Sequence, residues 1–141
     1  MAKRTTELLK ELNRSTCSLS KYMSRNDEVF VNENIPKFWE GLVSKSGYSK
    51  SNIINKSDFC YCYFYDVISG RKLPTKDKVV RLCLAMKASL RDTQEALKIS
   101  DRSQLYAKNR RDSILIFAIN NKLTIAKCNA LLTSYEEETL K

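Results

Sequence analysis

Apolar residues recur along most of this chain at spacings of three and four, the period of helices that bury one face. Residues 5–12 place Leu8, Leu9 and Leu12 on one side behind a Thr5 or Thr6 cap. Residues 13–20 are rich in Ser, Thr and Asn and read as a loop. A second short helix is expected through Tyr22 and Met23 towards Phe30 and Val31. From Asn34 the pattern strengthens. Asn34 is expected to cap a helix that carries Pro36 in its first turn, with Ile35, Phe38, Trp39, Leu42 and Val43 as its stripe and Gly47 at its end. Ser49 should cap a second helix, with Ile53 and Ile54 inward and Lys50, Asn52 and Lys56 outward. After a turn at Ser57, Asp58 and Phe59, a third helix is predicted over about residues 60–68. Its buried stripe would be Cys60, Tyr63, Phe64, Val67 and Ile68, and its outward face Tyr61, Cys62, Tyr65, Asp66 and Ser69.

The second half continues in the same way. Thr75 should open a fourth helix on Val79, Val80, Leu82, Cys83 and Met86. Ser89, with Asp92 three positions on, should open a fifth on Leu90, Thr93, Ala96 and Leu97. Residues 100–103 read as a loop, after which Leu105 and Tyr106 are expected to tuck back onto the core. The sixth helix, from about Asn109, is apolar nearly all round (Ile114, Leu115, Phe117, Ala118, Ile119) and is therefore expected to be the most deeply buried. Thr124 should cap the last, with Ile125, Cys128, Leu131 and Leu132 inward, and Glu136, Glu137 and Glu138 form a solvated acidic end. Seven capped stripes with almost no period-two alternation predict an all-α domain over residues 34–141, preceded by an N-terminal helical arm or extension over residues 1–33.

Charge adds a partner class. The 141 residues carry 25 basic and 16 acidic side chains, a formal charge of +9, which favours a polyanion, nucleic acid before an anionic membrane surface. No apolar run approaches the roughly 20 residues of a membrane span, and the first residues have no signal-peptide core. Five cysteines at irregular spacing (Cys17, Cys60, Cys62, Cys83, Cys128), one lone C-x-C and no histidine fit a reduced, cytoplasmic chain without a metal site. The absence of histidine removes Ser–His and Cys–His nucleophile pairs, and the three isolated glycines form no phosphate loop. Arg110, Arg111 and Asp112 read as a helix start, with Asp112 facing the positive end of the helix dipole. No catalytic residues and no cofactor are expected; binding remains.

A short helix, a tight turn and a second helix, over residues 49–74, give the outline of a helix-turn-helix, whose second helix normally enters the DNA major groove. Lys50, Ser51, Ile54, Lys56, Ser57, Phe59, Tyr63, Tyr65, Val67, the run Ser69, Gly70, Arg71, Lys72, and Pro74 together resemble the XRE-type (lambda-repressor-like) regulator family. The likeness is greatest to a Gram-positive bacterial branch. There, TKDKVVRLCLAMKASLRDTQEALK resembles RDKLLALALAMGLSLEETQRLLK, and LYAKNRRDSILIFAINN resembles LYPRNRRDAIIIFALN. The resemblance spans about residues 35–140. It implies an all-α, lambda-repressor-like helix-turn-helix domain with extra C-terminal helices, acting as a transcriptional regulator on double-stranded DNA, with a homodimer left open. Asp58 replaces the turn glycine common in that family, a position that Asp tolerates better than most residues. Candidate phosphate contacts are Ser49, Lys50 and Ser51 at the start of the second helix, and Lys56, Arg71 and Lys72 around the third. Candidate base contacts are Tyr61, Cys62, Tyr65 and Asp66. In the family that outward face usually carries Arg, Ser, Thr, Gln or Asn, whereas here it is aromatic, thiol and acidic. A second expectation follows, in which the aromatic third helix binds a protein partner.

Overall fold

The computed structural model of the chain describes residues 34–141. The helices expected within residues 5–12 and 22–31, and the loop between them, lie outside the described residues. The chain divides after Asn34, and Ile35–Lys141 forms one compact unit. It contains α1 (Ile35–Ser46), α2 (Lys50–Ser57), α3 (Tyr61–Ile68), α4 (Lys76–Ala85), α5 (Leu90–Ile99), α6 (Arg110–Asn120) and α7 (Ile125–Ser134), with no strand among the described residues.

Local chemistry accounts for both ends of most helices. Ser49, Thr75, Ser89, Asn109 and Thr124 sit in extended backbone, and each side-chain oxygen accepts from the N–H three residues on at 3.0–3.3 Å. Such caps contribute about 1 kcal/mol each. At the other end, five helices finish in one motif. Asp58, Lys87, Asp101, Lys122 and Glu136 adopt left-handed backbone, with φ between 54° and 60°. The residue after each donates its N–H to a carbonyl five positions earlier, as Phe59 does to Ile54 and Ala88 to Cys83. This six-to-one closure satisfies carbonyls the helix leaves open, and glycine usually occupies its left-handed position. Gly47 and Gly70 also take left-handed backbone, after α1 and α3, but without this closure.

The core is arranged around α4, which packs against α2, α5, α6 and α7, while α1 leans on α3 and α5. Val79, Val80, Leu82, Cys83, Leu84 and Ala85 are all buried along its ten residues. Trp39, Phe64, Leu97, Leu115 and Leu132 fill the space around it from five other helices. The helix also anchors its neighbours through its polar groups. Asp77 takes a bidentate pair from Arg111 at 2.9 and 3.0 Å, and Lys76 pairs with the buried Asp112 at 3.0 Å. Asp112 thus faces Lys76 as well as the start of its own helix, and it also accepts the Tyr106 N–H at 3.1 Å.

Several expectations change. The most buried helix is α4 rather than α6. The α6 helix lies at the edge, so only part of its circumference meets the core and Phe117 is 54% exposed. Cys60 is exposed because it serves as the residue before the first turn of α3, where the chain has not yet turned inward. Leu105 tucks in, its N–H and carbonyl both held by Gln94 at 2.7 and 2.9 Å, but Tyr106 stays outside. The Glu136 and Glu138 side chains stay exposed as expected, while the backbone there and the residues beyond it dock. Arg111 donates to the Glu138 carbonyl at 3.1 Å, the Leu140 N–H reaches Asn129 at 2.9 Å, and Leu140 is buried.

Removing the Leu140 side chain should therefore destabilise the domain although it lies one residue from the end of the sequence. Leu140→Ala is expected to cost about 2 kcal/mol, the low end for a buried leucine. The urea midpoint would fall with an unchanged slope. An unchanged midpoint would mean that the docked tail contributes nothing.

Candidate functional site

The segment from Ser49 to Lys72 places two eight-residue helices in sequence, joined through Asp58. The turn depends on that residue's backbone (φ 60°, ψ 33°), and its N–H closes back on the Ile54 carbonyl. Arg81 of α4 holds the same turn from below, donating Nε and Nη2 to the Ser57 carbonyl at 3.1 and 2.7 Å. Its guanidinium also lies 3.8 Å from the Asp58 carboxylate. Phe59 then enters the core and meets Tyr63 edge-on at 5.3 Å. With Phe64, Val67 and Ile68 buried, α3 is held by one face, and Tyr61 and Cys62 are left exposed.

The ten candidate residues do not form one set. Lys50 pairs with Glu40 of α1 at 2.9 Å, and its ammonium lies 5.7 Å from the Tyr65 ring centre. Hydrogen bonding to Glu40 raises the Lys50 pKa above its ordinary value. Tyr61 and Tyr65 lie with ring centres 4.6 Å apart. Tyr61 is 65% exposed, whereas Tyr65 is half-buried and edge-on to Phe64 at 5.4 Å. The pKa of Tyr61 is raised, first by hydrogen bonding with Tyr65. Arg71 and Lys72 both lie 3.6 Å from Asp66, so that two cations share one carboxylate. Ser49 is engaged as the α2 cap, and Ser51 is exposed beside it.

Lys56 stands apart. Its ammonium sits 3.6 Å above the Tyr48 ring, and it borders a cleft with Leu84, Ala85, Lys87 and Thr124, at the opposite end of α2 from Lys50. Two cations missing from the sequence reading take its place near α3. Lys78 of α4 lies 5.3 Å from the Tyr63 ring centre, with Lys72 at 5.8 Å. Arg102 donates to the Pro74 carbonyl at 3.0 Å and lies close enough to Tyr63 to oppose the upward pKa shift that burial gives its phenol. Neither Lys78 nor Arg102 has an ion-pair partner among the described residues. Outward placement of Lys78 beside the apolar Val79 and Val80 was readable from helical period. The approach of Arg102 depends on long-range folding and had no local signal.

The arrangement supplies exposed cations, aromatic rings and one carboxylate as possible contacts. No cluster of three or more His, Cys, Asp or Glu side chains suited to a metal occurs among the described residues. No helix among them is long and apolar enough to cross a membrane. No family model, curated protein or solved structure matches this chain.

The thiols divide by environment. Burial pushes the Cys83 thiol from 9.0 up to about 12, against a smaller opposing effect of Thr93, and pushes Cys128 up to about 11. A raised folded-state value keeps the thiol neutral inside while the unfolded chain ionises first. This contribution to stability is complete below pH 9 and is lost as pH rises towards 12. Above pH 9 the chain should lose stability more steeply than a Cys83→Val variant, by at most about 1.4 kcal/mol per pH unit. Parallel urea midpoints from pH 8 to 10.5 measure the difference; parallel curves would place the Cys83 thiol in a wetter site.

Proposed function

We propose that this chain is a DNA-binding regulator of the XRE-type helix-turn-helix class, with α3 as the helix presented to the major groove. The observation that carries the reading is the line of cations beside α3. Lys72, Lys78 and Arg102 gather around Tyr63, and Arg71 joins Lys72 on Asp66, the one carboxylate paired with any of the four among the described residues. Eight of the nine net positive charges fall within residues 34–141, which hold 19 basic and 11 acidic side chains, so the charge belongs to the folded unit. Resemblance of residues 35–140 to the family supports the same reading. Base contacts would come from Tyr61 and Cys62, the two fully presented side chains of α3, with Tyr61 stacking on a sugar or a thymine methyl. Tyr65 and Asp66 act from behind them: Tyr65 supports Tyr61, and Asp66 orients Arg71 and Lys72.

A second reading has one observation in its favour. By accepting both Arg71 and Lys72, Asp66 reduces their availability to phosphate, and an exposed tyrosine is a natural anchor for a protein surface.

Gel-shift titrations of random duplex at about 50 and 200 mM salt test the first reading. Four to six phosphate contacts predict a loss of about two to three orders of magnitude in affinity. Reversing Lys50, Arg71 and Lys72 together to Glu should abolish binding, and Lys78→Glu alone should reduce the salt slope by about one. Tyr61→Ala should leave thermal stability unchanged and weaken a selected duplex more than random DNA. Binding indifferent to salt and to these charges would overturn the regulator reading, and intact DNA binding with a lost protein partner in Tyr61→Ala would favour the second.

A further inference from the structure

We propose that the outer face of the α6–α7 hairpin is the surface through which two copies of this chain pair around a two-fold axis. The inference is independent of DNA binding. It begins from a mismatch in α6, which is apolar nearly all round yet meets the core on one side only. Ile114 and Phe117 of α6, with Leu131 and Tyr135 from the end of α7, line one apolar recess. Phe117 and Tyr135 are 54% and 53% exposed, unlike the large apolar side chains that face α4. Single exposed apolar residues need no explanation, but a contiguous group in a recess marks an interaction surface.

The charges around the recess select the occupant. Lys127, Leu131 and Tyr135 follow one another at intervals of four, on one stripe of the hairpin. Arg110 donates to the Tyr135 carbonyl at 3.0 Å and lies 3.8 Å from Glu137, which sets the start of α6 beside the end of α7. The apolar patch therefore has Lys127 at one end and Glu136, exposed just past Tyr135, at the other. Neither has an ion-pair partner among the described residues. A two-fold axis across the middle of the patch, near Leu131, runs the two hairpins antiparallel, so that the Tyr135 end of one copy meets the Lys127 end of the other and each Lys127 stands opposite the other copy's Glu136. A parallel arrangement would oppose like charges. A surface that is its own complement under a two-fold operation is the requirement for an isologous dimer.

So small a patch implies a weak pair, with Kd on the order of 10–100 µM. Sedimentation equilibrium of the full chain, at about 150 mM salt so that net repulsion is screened beyond about 8 Å, should show a monomer–dimer equilibrium. Phe117→Asp should abolish the dimer. Lys127→Glu should weaken it at least about tenfold, and Lys127→Glu with Glu136→Lys should restore it. Both charged positions are exposed, so the exchange leaves the fold intact. A monomer throughout, or a dimer that ignores Phe117 or is not restored by the charge exchange, overturns the proposal.

Discussion

Enclosure of α4 is the constraint on which the other helices depend. Six of the ten residues of α4, Val79, Val80, Leu82, Cys83, Leu84 and Ala85, must be taken out of water, so α2, α5, α6 and α7 all approach it. Its few polar residues become the points where those neighbours are registered: Lys76 and Asp77 fix the start of α6, and Arg81 fixes the α2–α3 turn. A carbonyl such as that of Ser57, at the end of a short helix, would otherwise need water or another donor. The guanidinium supplies two N–H groups there and couples the placement of α3 to the packing of the core.

The same coupling shapes the candidate interface. Its cations come from four separate places, with Lys50 on α2, Arg71 and Lys72 after α3, Lys78 on α4 and Arg102 beyond α5. Aromatic rings lie between them: Tyr65 beside Lys50, and Tyr63 beside Lys72 and Lys78. A cation near a ring is attracted by the ring's quadrupole and keeps most of its charge for an outside anion. A cation against a carboxylate gives up more. Lys78 and Arg102 are thus more available to phosphate than Lys50, and the electrostatic centre of the face lies further towards α4 than helix-by-helix reading places it.

Features that depend on a few consecutive residues were readable from sequence. Ser49, Thr75, Ser89, Asn109 and Thr124 each cap a helix, and Asp58 takes the left-handed turn position. Burial was readable where a stripe faces a single neighbour, as for Trp39, Phe64 and Val67. It misled at Phe117, because period reports that a side of a helix is apolar but not whether another element arrives to cover it. Docking of Leu140 and the Arg81 contact to Ser57 join positions 11 and 24 residues apart in sequence, beyond any local pattern. At the candidate site the exposed Tyr61 and Cys62 were legible. Half-burial of Tyr65 and the separation of Lys56 were not, since both depend on where α1, α4 and α7 lie.

The repeated left-handed closures also determine how the molecule can respond to a partner. After α2, α4, α5, α6 and α7 the chain turns through one fixed residue with both flanking N–H groups bonded back to the helix. Hinges need residues free to exchange backbone states, and such closures leave few. The α3 face is accordingly fixed in backbone where it starts, at the α2–α3 turn, and its other end leaves through Gly70 and residues 71–74, which carry Arg71 and Lys72. Whatever docks at the start of α3 meets little backbone ordering entropy, so mismatch in shape at that end has to be absorbed by the partner.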